Sequence, residues 1–161
     1  MLTFTEKLPA PASAQTTLTL PFETRQKSRL RVTLDDGREA ALLLARGSLL
    51  RGGDLLRAED GTVIEVRAAS ESVSTAYASN AELLTRAAYH LGNRHIAVQV
   101  GATWLRYLHD HVLDHMLEQL GLQVSFEQAP FEPEAGAYDG HGAHSHASIY
   151  RAHEHHGHSH D

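Results

Sequence analysis

The chain has 161 residues, a formal net charge of −6, 13 histidines and no cysteine. Without cysteine it has no disulfides, no thiolate metal site and no cysteine nucleophile. No apolar run approaches the ~20 residues that a membrane-spanning helix needs, and the N-terminus lacks the basic and apolar regions of a signal peptide. The acidic balance disfavours a nucleic-acid surface. We expect a soluble, cytoplasmic protein that binds neither nucleic acid nor membrane.

Residues 1–70 are predicted to form an all-β domain, a small sandwich or barrel. Alternating or continuous apolar residues typical of strands occupy four segments: residues 16–20, 29–34, 39–44 and 62–66. Turn residues separate them, including Asp35-Asp36-Gly37, which is typical of a hairpin. Two more turns are predicted at residues 51–54 and 59–61. The arginines of this domain are expected to form a solvated face rather than an anion or partner site.

Residues 71–138 are predicted to form an α+β domain with the ferredoxin-like order βαββαβ. Its strands are expected at residues 72–77, 96–100, 103–107 and 122–126. The first helix is expected to open with the capping box Ser79-x-x-Glu82, and the second to run from about Asp110 to Leu120 and stop at Gly121. Beyond Pro130 the chain is too polar to pack, and residues 139–161 are expected to form a disordered, flexible tail.

The tail carries eight of the 13 histidines. They are His141, His144, His146, His153, His155, His156, His158 and His160. Neutral imidazole suits Ni(II), Cu(II) and Zn(II), and flexible imidazoles can bind several ions without imposing one coordination geometry. Storage, scavenging or hand-over of a metal therefore fits this segment better than catalysis. The affinity order of the metals leaves open which one is bound.

A second group of histidines, His109, His111 and His115, lies on or just before the second predicted helix. His111 and His115 are four residues apart on its polar face, so their side chains can share a metal ion. The opposite face is an apolar stripe of Val112, Leu113, Met116, Leu117 and Leu120. An ordinary solvent-exposed helix face with histidines is the alternative. His90 and His95, near the end of the first helix, are interpreted mainly as structural, since imidazolium is favoured at a helix C-terminus.

Three segments of the second domain resemble the urease accessory protein E family of nickel metallochaperones. They are Ala88-Tyr-His-Leu-Gly-Asn-Arg-His95, Asp110-His-Val-Leu-Asp114 and Phe131-Glu-Pro-Glu-Ala-Gly-Ala-Tyr138, which leads into the tail. The first domain adds Arg29-x-Arg31, Leu34-Asp-Asp-Gly37 and Leu50-Arg-Gly-Gly-Asp-Leu-Leu56. The resemblance covers nearly the whole chain.

The resemblance implies a first domain similar to the peptide-binding domain of a heat-shock chaperone, and a homodimer formed through the second domain. It implies that His111 of both subunits holds nickel at the dimer interface, and that His141 and His144 also bind metal. The remaining tail histidines carry over only as a class, and His115 stands where an acidic residue is more usual. The implied partners are a GTP-hydrolysing accessory protein and apo-urease. The chain has no phosphate-binding loop of its own, so nucleotide chemistry belongs to that partner.

The leading hypothesis is a dimeric chaperone that carries Ni(II) to apo-urease and is not itself an enzyme. A general buffer for zinc, copper or nickel without a dedicated client is the alternative, and binding of Zn(II) or Cu(II) in vitro is compatible with both. A metallohydrolase built on His90 and His95 is disfavoured, because no HExxH motif or comparable fixed ligand set with a general base is present.

Overall fold

A computed structural model describes residues 1–9 and 11–136. In this part of the chain the strands are β1 (Leu2–Leu8), β2 (Thr16–Leu20), β3 (Arg29–Thr33), β4 (Glu39–Leu43), β5 (Leu55–Ala58), β6 (Val63–Ala68), β7 (Ser70–Tyr77), β8 (Gln99–Val100), β9 (Trp104–Leu108) and β10 (Gln123–Pro130). The helices are α1 (Phe22–Arg25), α2 (Ala81–Asn93) and α3 (His111–Leu120). None of these helices is both long enough and apolar enough to cross a membrane.

The first six strands form one mixed sheet in the order β2-β6-β5-β1-β4-β3. The sheet curls until its two edges meet beside Asp35, which follows β3 and accepts hydrogen bonds from β2. The hydroxyls of Thr17 and Thr19 donate to Asp35 Oδ2 at 2.6 and 2.7 Å, and the Asp35 N–H donates to the Thr17 carbonyl at 2.9 Å. The apolar faces of the strands enclose a core that includes Phe4, Leu18 and Ile64. The predicted β-rich first domain is confirmed.

Three elements of this domain were missing from the sequence prediction: β1, β5 and the short helix α1. In β1 the charged pair Glu6 and Lys7 interrupts the apolar alternation, and the pairing with β5 shifts register between Phe4 and Glu6. The four residues of β5 lie between two turns, too short a segment for alternation to be recognised. These strands form the centre of the sheet, where pairing on both sides stabilises them despite weak local patterns.

The remaining strands form a second, antiparallel sheet in the order β10-β7-β9-β8. The predicted succession of strand, helix, two strands, helix and strand is present. Helices α2 and α3 bury apolar side chains against this sheet, in a cluster that includes Ala87, Leu91, Leu105, Leu113 and Leu117. This packing fixes the orientation of α3 and of the histidines at its N-terminal end.

Two local predictions in this domain are wrong. The N-cap of α2 is Asn80, whose side chain accepts from the Leu83 N–H at 2.8 Å, whereas Glu82 extends outward and pairs with Arg86 at 2.8 Å. The capping box that begins at Ser79 is therefore not formed, because Asn80 already satisfies the free amide of the first turn. Strand β8 spans only Gln99–Val100 and not residues 96–100.

The segment after β10 packs against the first domain, contrary to the prediction that the chain beyond Pro130 is too polar to pack. Phe131 is fully buried, and its ring meets that of Phe22 edge-on, with the ring centroids 5.5 Å apart. The Glu132 carboxylate accepts from Arg25 at 2.6 Å. One aromatic side chain in a polar segment is enough to anchor it, because it finds an apolar site prepared by another part of the chain.

Arg25 also departs from the expectation of a solvated arginine face, since its side chain is 0% exposed. The guanidinium donates to the carbonyls of Leu20, Leu50 and Phe131 and to the Glu132 carboxylate. A buried guanidinium is tolerated only when its donors are paired in this way. Arg25 thus ties together the two domains and the segment that leads to the tail.

Candidate metal centre

Helix α3 begins at a well-defined cap. The Asp110 carboxylate accepts from the N–H groups of Val112 and Leu113 at 2.9 and 3.2 Å, which is the usual N-cap arrangement. At the other end Gly121 adopts φ +110°, a left-handed conformation that glycine takes at little cost, as predicted. The cap fixes where His111, the first residue of the helix, emerges from the fold.

His111 and His115 are both exposed, so their predicted position on the wet face is confirmed. Among the described residues neither ring has a hydrogen-bond or ion-pair partner. Leu113 and Leu117 on the opposite face are buried. The predicted apolar stripe is wrong at Val112, which is 54% exposed, because the helix turns this residue away from the sheet.

His109 precedes the cap and is held quite differently. Its Nδ1 lies 3.1 Å from the Ser74 hydroxyl and 3.3 Å from the Asp114 carboxylate. The Phe126 ring packs edge-on against the imidazole, with the ring centroids 4.7 Å apart. The side chain is 38% exposed. His109 is therefore an exposed but oriented imidazole, unlike the rings of His111 and His115, which have no partner among the described residues.

Asp114 joins this arrangement to the core of the domain. Its carboxylate accepts from the Tyr107 hydroxyl at 2.7 Å. Burial, and then the hydrogen bond to the Asp114 carboxylate, raise the pKa of Tyr107 far above its usual value. The phenol thus stays protonated and acts as a fixed donor to Asp114. Tyr107, His109 and Leu113 also line a cavity of about 320 Å³ beside the cap.

The two histidines near the end of α2 have different surroundings. His90 is half-buried and its ring meets that of Tyr89 edge-on. His95 is exposed and has φ +56°, the only positive φ of a non-glycine residue in the described part of the chain. Such a backbone is strained, and strained residues are concentrated at functional sites. His95 and Gly136 line a common cavity of about 420 Å³ at the domain junction.

Within residues 1–9 and 11–136, no three histidine, aspartate or glutamate side chains come together as a metal-ligand set. His109, just before the cap of α3, and His111 and His115, on α3, do not form a closed site within the described residues. The tail histidines His141, His144, His146, His153, His155, His156, His158 and His160 lie outside the described residues. A metal site with three or more of these side chains would need ligands from outside residues 1–9 and 11–136.

The sequence prediction missed the side chains that hold His109. Ser74 and Tyr107 lie on β7 and β9 and meet His109 only because those strands pair, with Ser74 opposite Tyr107. Asp114 was recognised only as part of a motif. The available signal was its position one turn after the Asp110 cap, where an acidic side chain faces back toward the residues preceding the helix.

The full sequence is similar to known proteins over both of its domains. Residues 4–69 match the family model described as the N-terminal domain of the UreE urease accessory protein, and residues 55–161 match the model of its C-terminal domain. Together these matches span nearly the entire sequence, including the histidine-rich tail.

Individual relatives give the same result. The chain is 63% identical to the urease accessory protein UreE of Alkalilimnicola ehrlichii over 140 residues, 87% of this chain and 86% of that protein. It is 53% identical to UreE of Citrobacter koseri over 161 residues, 99% of this chain and 100% of that protein. It is 58% identical to UreE of Pseudomonas putida strain W619 over 139 residues, 86% of each protein.

Proposed function

The chain belongs to the UreE family of urease accessory proteins, and on that basis we propose that it binds Ni(II) and delivers it to apo-urease as a metallochaperone. The observation that carries the proposal is the pair of exposed imidazoles of His111 and His115 at four-residue spacing on α3, which have no partner among residues 1–9 and 11–136 and lie close in sequence to the oriented His109. Neutral imidazole is a suitable ligand for nickel. An exposed set with few ligands suits a metal that must be released again.

Carboxylates offset one unfavourable feature of His111. The N-terminal end of a helix carries a partial positive charge that disfavours a cation. Asp110 caps this end and Asp114 lies in the first turn, so two carboxylates flank the position where a bound ion would sit. The local charge therefore favours metal binding in spite of the helix dipole.

We propose that the protein is a homodimer formed through its second domain. Leu108 and Val112 are 43% and 54% exposed and lie beside His109 and His111 in the sequence. A two-fold axis near His111 would cover these apolar side chains and bring two copies of His111 together. The second copy would supply the ligands that one subunit lacks in its described part.

We assign the tail histidines to capture and relay of ions, with His141 and His144 nearest to the folded domain in sequence. The eight tail imidazoles raise capacity and add exchangeable ligands for the interface site. Zn(II) and Cu(II) would compete in vitro, because imidazole binds them as well.

We propose that the protein acts in the cytoplasm, is not an enzyme, and works with a GTP-hydrolysing accessory protein in the maturation complex of apo-urease. We further propose a division into residues 1–70, 71–138 and 139–161. The change of sheet between Ala68 and Ser70 supports the first boundary. The sheet order β10-β7-β9-β8, with apolar residues of both helices packed in one cluster against the sheet, supports a ferredoxin-like second domain.

Equilibrium dialysis against Ni(II) tests the binding step. Replacing His111 by alanine should remove about one tightly bound ion per dimer and leave the fold intact. Replacing the eight tail histidines by alanine should reduce capacity more than it reduces the tightest affinity. Because imidazole must be deprotonated to bind, affinity should fall between about pH 7.5 and about pH 5.5. Ni(II) binding that is unchanged both by the change of pH and by the His111 substitution would contradict the proposal.

Client specificity is tested separately. A pull-down with the full chain should retain the accessory GTPase and apo-urease, and a competition titration should include nickel, zinc and copper. Retention of neither partner, with equal use of all three metals, would instead favour a general metal buffer.

A further inference from the structure

The two ring nitrogens of His109 have different surroundings. Nδ1 faces the Ser74 hydroxyl at 3.1 Å and the Asp114 carboxylate at 3.3 Å. Nε2 has no hydrogen-bond partner among the described residues, and the ring is 38% exposed. The imidazole therefore directs one nitrogen toward Ser74 and Asp114, whereas the other has no such neighbour in the described part of the chain.

The groups around Nδ1 determine which nitrogen carries the proton. An ionised carboxylate only accepts hydrogen bonds, whereas a serine hydroxyl donates or accepts. With the proton on Nδ1, both neighbours are satisfied. With the proton on Nε2, the Nδ1 lone pair would face the negatively charged Asp114 carboxylate, an unfavourable contact at this distance.

The direction of the neighbouring hydrogen bonds agrees with this assignment. Tyr107 donates to Asp114 at 2.7 Å, so its own oxygen is left as an acceptor. Ser74 is buried, and its hydroxyl oxygen accepts from a proton on His109 Nδ1 without losing a partner of its own. With that proton in place, Tyr107 and His109 both donate toward the Asp114 carboxylate.

We propose that Asp114 and Ser74 are positioning residues that hold His109 with its proton on Nδ1, so that Nε2 presents a lone pair to metal. This inference rests on the proposed function only in its last step, the use of Nε2 as a ligand. Histidine ligands in proteins commonly donate their second N–H to a carboxylate or other acceptor, which fixes ring and tautomer. Here that arrangement is present around His109, while the rings of His111 and His115 have no such acceptor in the part of the chain that the structure describes.

Packing restricts the remaining freedom of the ring. Phe126 is 58% exposed and lies edge-on against the imidazole. The His109 N–H of the backbone donates to the Ser72 carbonyl at 3.0 Å, so the main chain is fixed to β7 as well. A ring held at its backbone, at Nδ1 and on one side binds an ion with little further loss of conformational freedom.

The tautomer is measured without metal. Long-range ¹H–¹⁵N spectra of the full-length, metal-free protein at about pH 8, where imidazole is neutral, should show a protonated Nδ1 and an unprotonated Nε2 for His109. His111 and His115 should show the averaged signals of free imidazole. Asp114→Ala should move His109 toward the averaged signals, and Ser74→Ala should do so in part. Glu118→Ala removes an exposed carboxylate from the same helix and should change nothing.

A His109 that is protonated at Nε2 in the wild type, or that is unchanged by both Asp114→Ala and Ser74→Ala, would overturn the assignment. Circular dichroism identifies a variant that fails to fold. In that case Tyr107→Phe is the second variant, because it keeps the ring in the core and removes only the hydrogen bond that orients the Asp114 carboxylate. Its expected effect on the His109 signals has the same direction and is smaller.

Nickel binding tests the last step. Asp114→Ala should weaken the affinity to which His109 contributes by roughly 10- to 100-fold, and should have a clearly smaller effect in a His109→Ala background, where only the charge of Asp114 near His111 is lost. Equal effects in both backgrounds would overturn the positioning role. Wild-type protein that binds no nickel would contradict the proposed function, while the metal-free tautomer still decides the orientation of His109.

Discussion

The guanidinium of Arg25 and the carboxylate of Glu132 form a salt bridge of 2.6 Å across 107 residues of sequence. Arg25 belongs to the first domain, and Glu132 follows the last strand of the second. The other Glu132 oxygen accepts from the Gly52 N–H at 3.1 Å, and the Glu132 N–H donates to Gln99. The segment that leads to the tail is therefore attached to both domains at one residue.

Removing the buried guanidinium should destabilise the protein strongly. Arg25→Ala leaves three carbonyls and the Glu132 carboxylate without their donor, and since a hydrogen bond to a charged group contributes about 1.5–3 kcal/mol, we expect a loss of several kcal/mol. Arg57→Ala is the matched control, because the Arg57–Glu6 pair at 2.6 Å has both side chains about half exposed, a setting worth about 0–1 kcal/mol. Urea denaturation measures both. Equal losses for the two variants would contradict the role of Arg25.

The closure of the first sheet at Asp35 should respond to pH. Burial acts to raise the pKa of Asp35, but the hydrogen bonds from Thr17 and Thr19 outweigh it, and the pKa lies below its ordinary value of 3.8. The stabilisation is therefore fully present above that value and is lost as the pH falls through the folded-state pKa. The difference in unfolding free energy between wild type and Asp35→Asn should be largest near about pH 6 and shrink below about pH 3. A constant difference would contradict this closure.

Trp104, the single tryptophan, packs closely against Gly101 at the start of β9, so its fluorescence reports on this contact. A Cβ at Gly101 would lie 2.2 Å from Trp104 Cε2, so Gly101→Ala must displace the indole from its place beside Arg106, whose Cζ is 4.6 Å from the ring centroid. We expect a shift of tryptophan emission and a lower melting temperature. Gly92→Ala is the control, because a Cβ there meets no atom within 4 Å and alanine in a helix is favoured by about 1 kcal/mol.

The cap of α3 should contribute measurably to stability. Asp110→Ala removes the acceptor for two amides of the first turn and should cost about 1 kcal/mol, whereas Asp110→Asn keeps a capping oxygen and should cost much less. Thermal unfolding of the metal-free protein separates the two. Equal destabilisation by alanine and asparagine would show that the carboxylate charge matters here, and not the cap.

Local sequence patterns predicted those elements whose side chains alternate or repeat strongly. Helix α3 was placed because its apolar residues repeat at helical spacing between an aspartate and a glycine, and both ends are as expected. Strand β1 was missed because its position in the centre of the sheet depends on pairing with β4 and β5, which are distant in sequence. Burial of Phe131 was missed for the same reason.

For the candidate site, residue type and motif indicated which histidines to consider, and not how each is held. His111 and His109 are two residues apart, yet the His111 ring contacts no partner within the described residues and the His109 ring is fixed by Ser74 and Asp114. That difference arises from the pairing of β7 with β9 and the packing of α3 against them. These contacts join residues distant in sequence, so local patterns do not predict them. His95 likewise gave no sequence signal of its left-handed backbone.

Activation of apo-urease tests the central claim most directly. Apo-urease with its accessory GTPase is incubated with the full chain loaded with nickel, in the presence of a chelator that holds free nickel below the level that activates urease by itself. We predict that the loaded chain restores urease activity and that His111→Ala, loaded to the same total nickel, restores markedly less. Activation no greater than that by the same amount of nickel without the protein would contradict a role in nickel delivery.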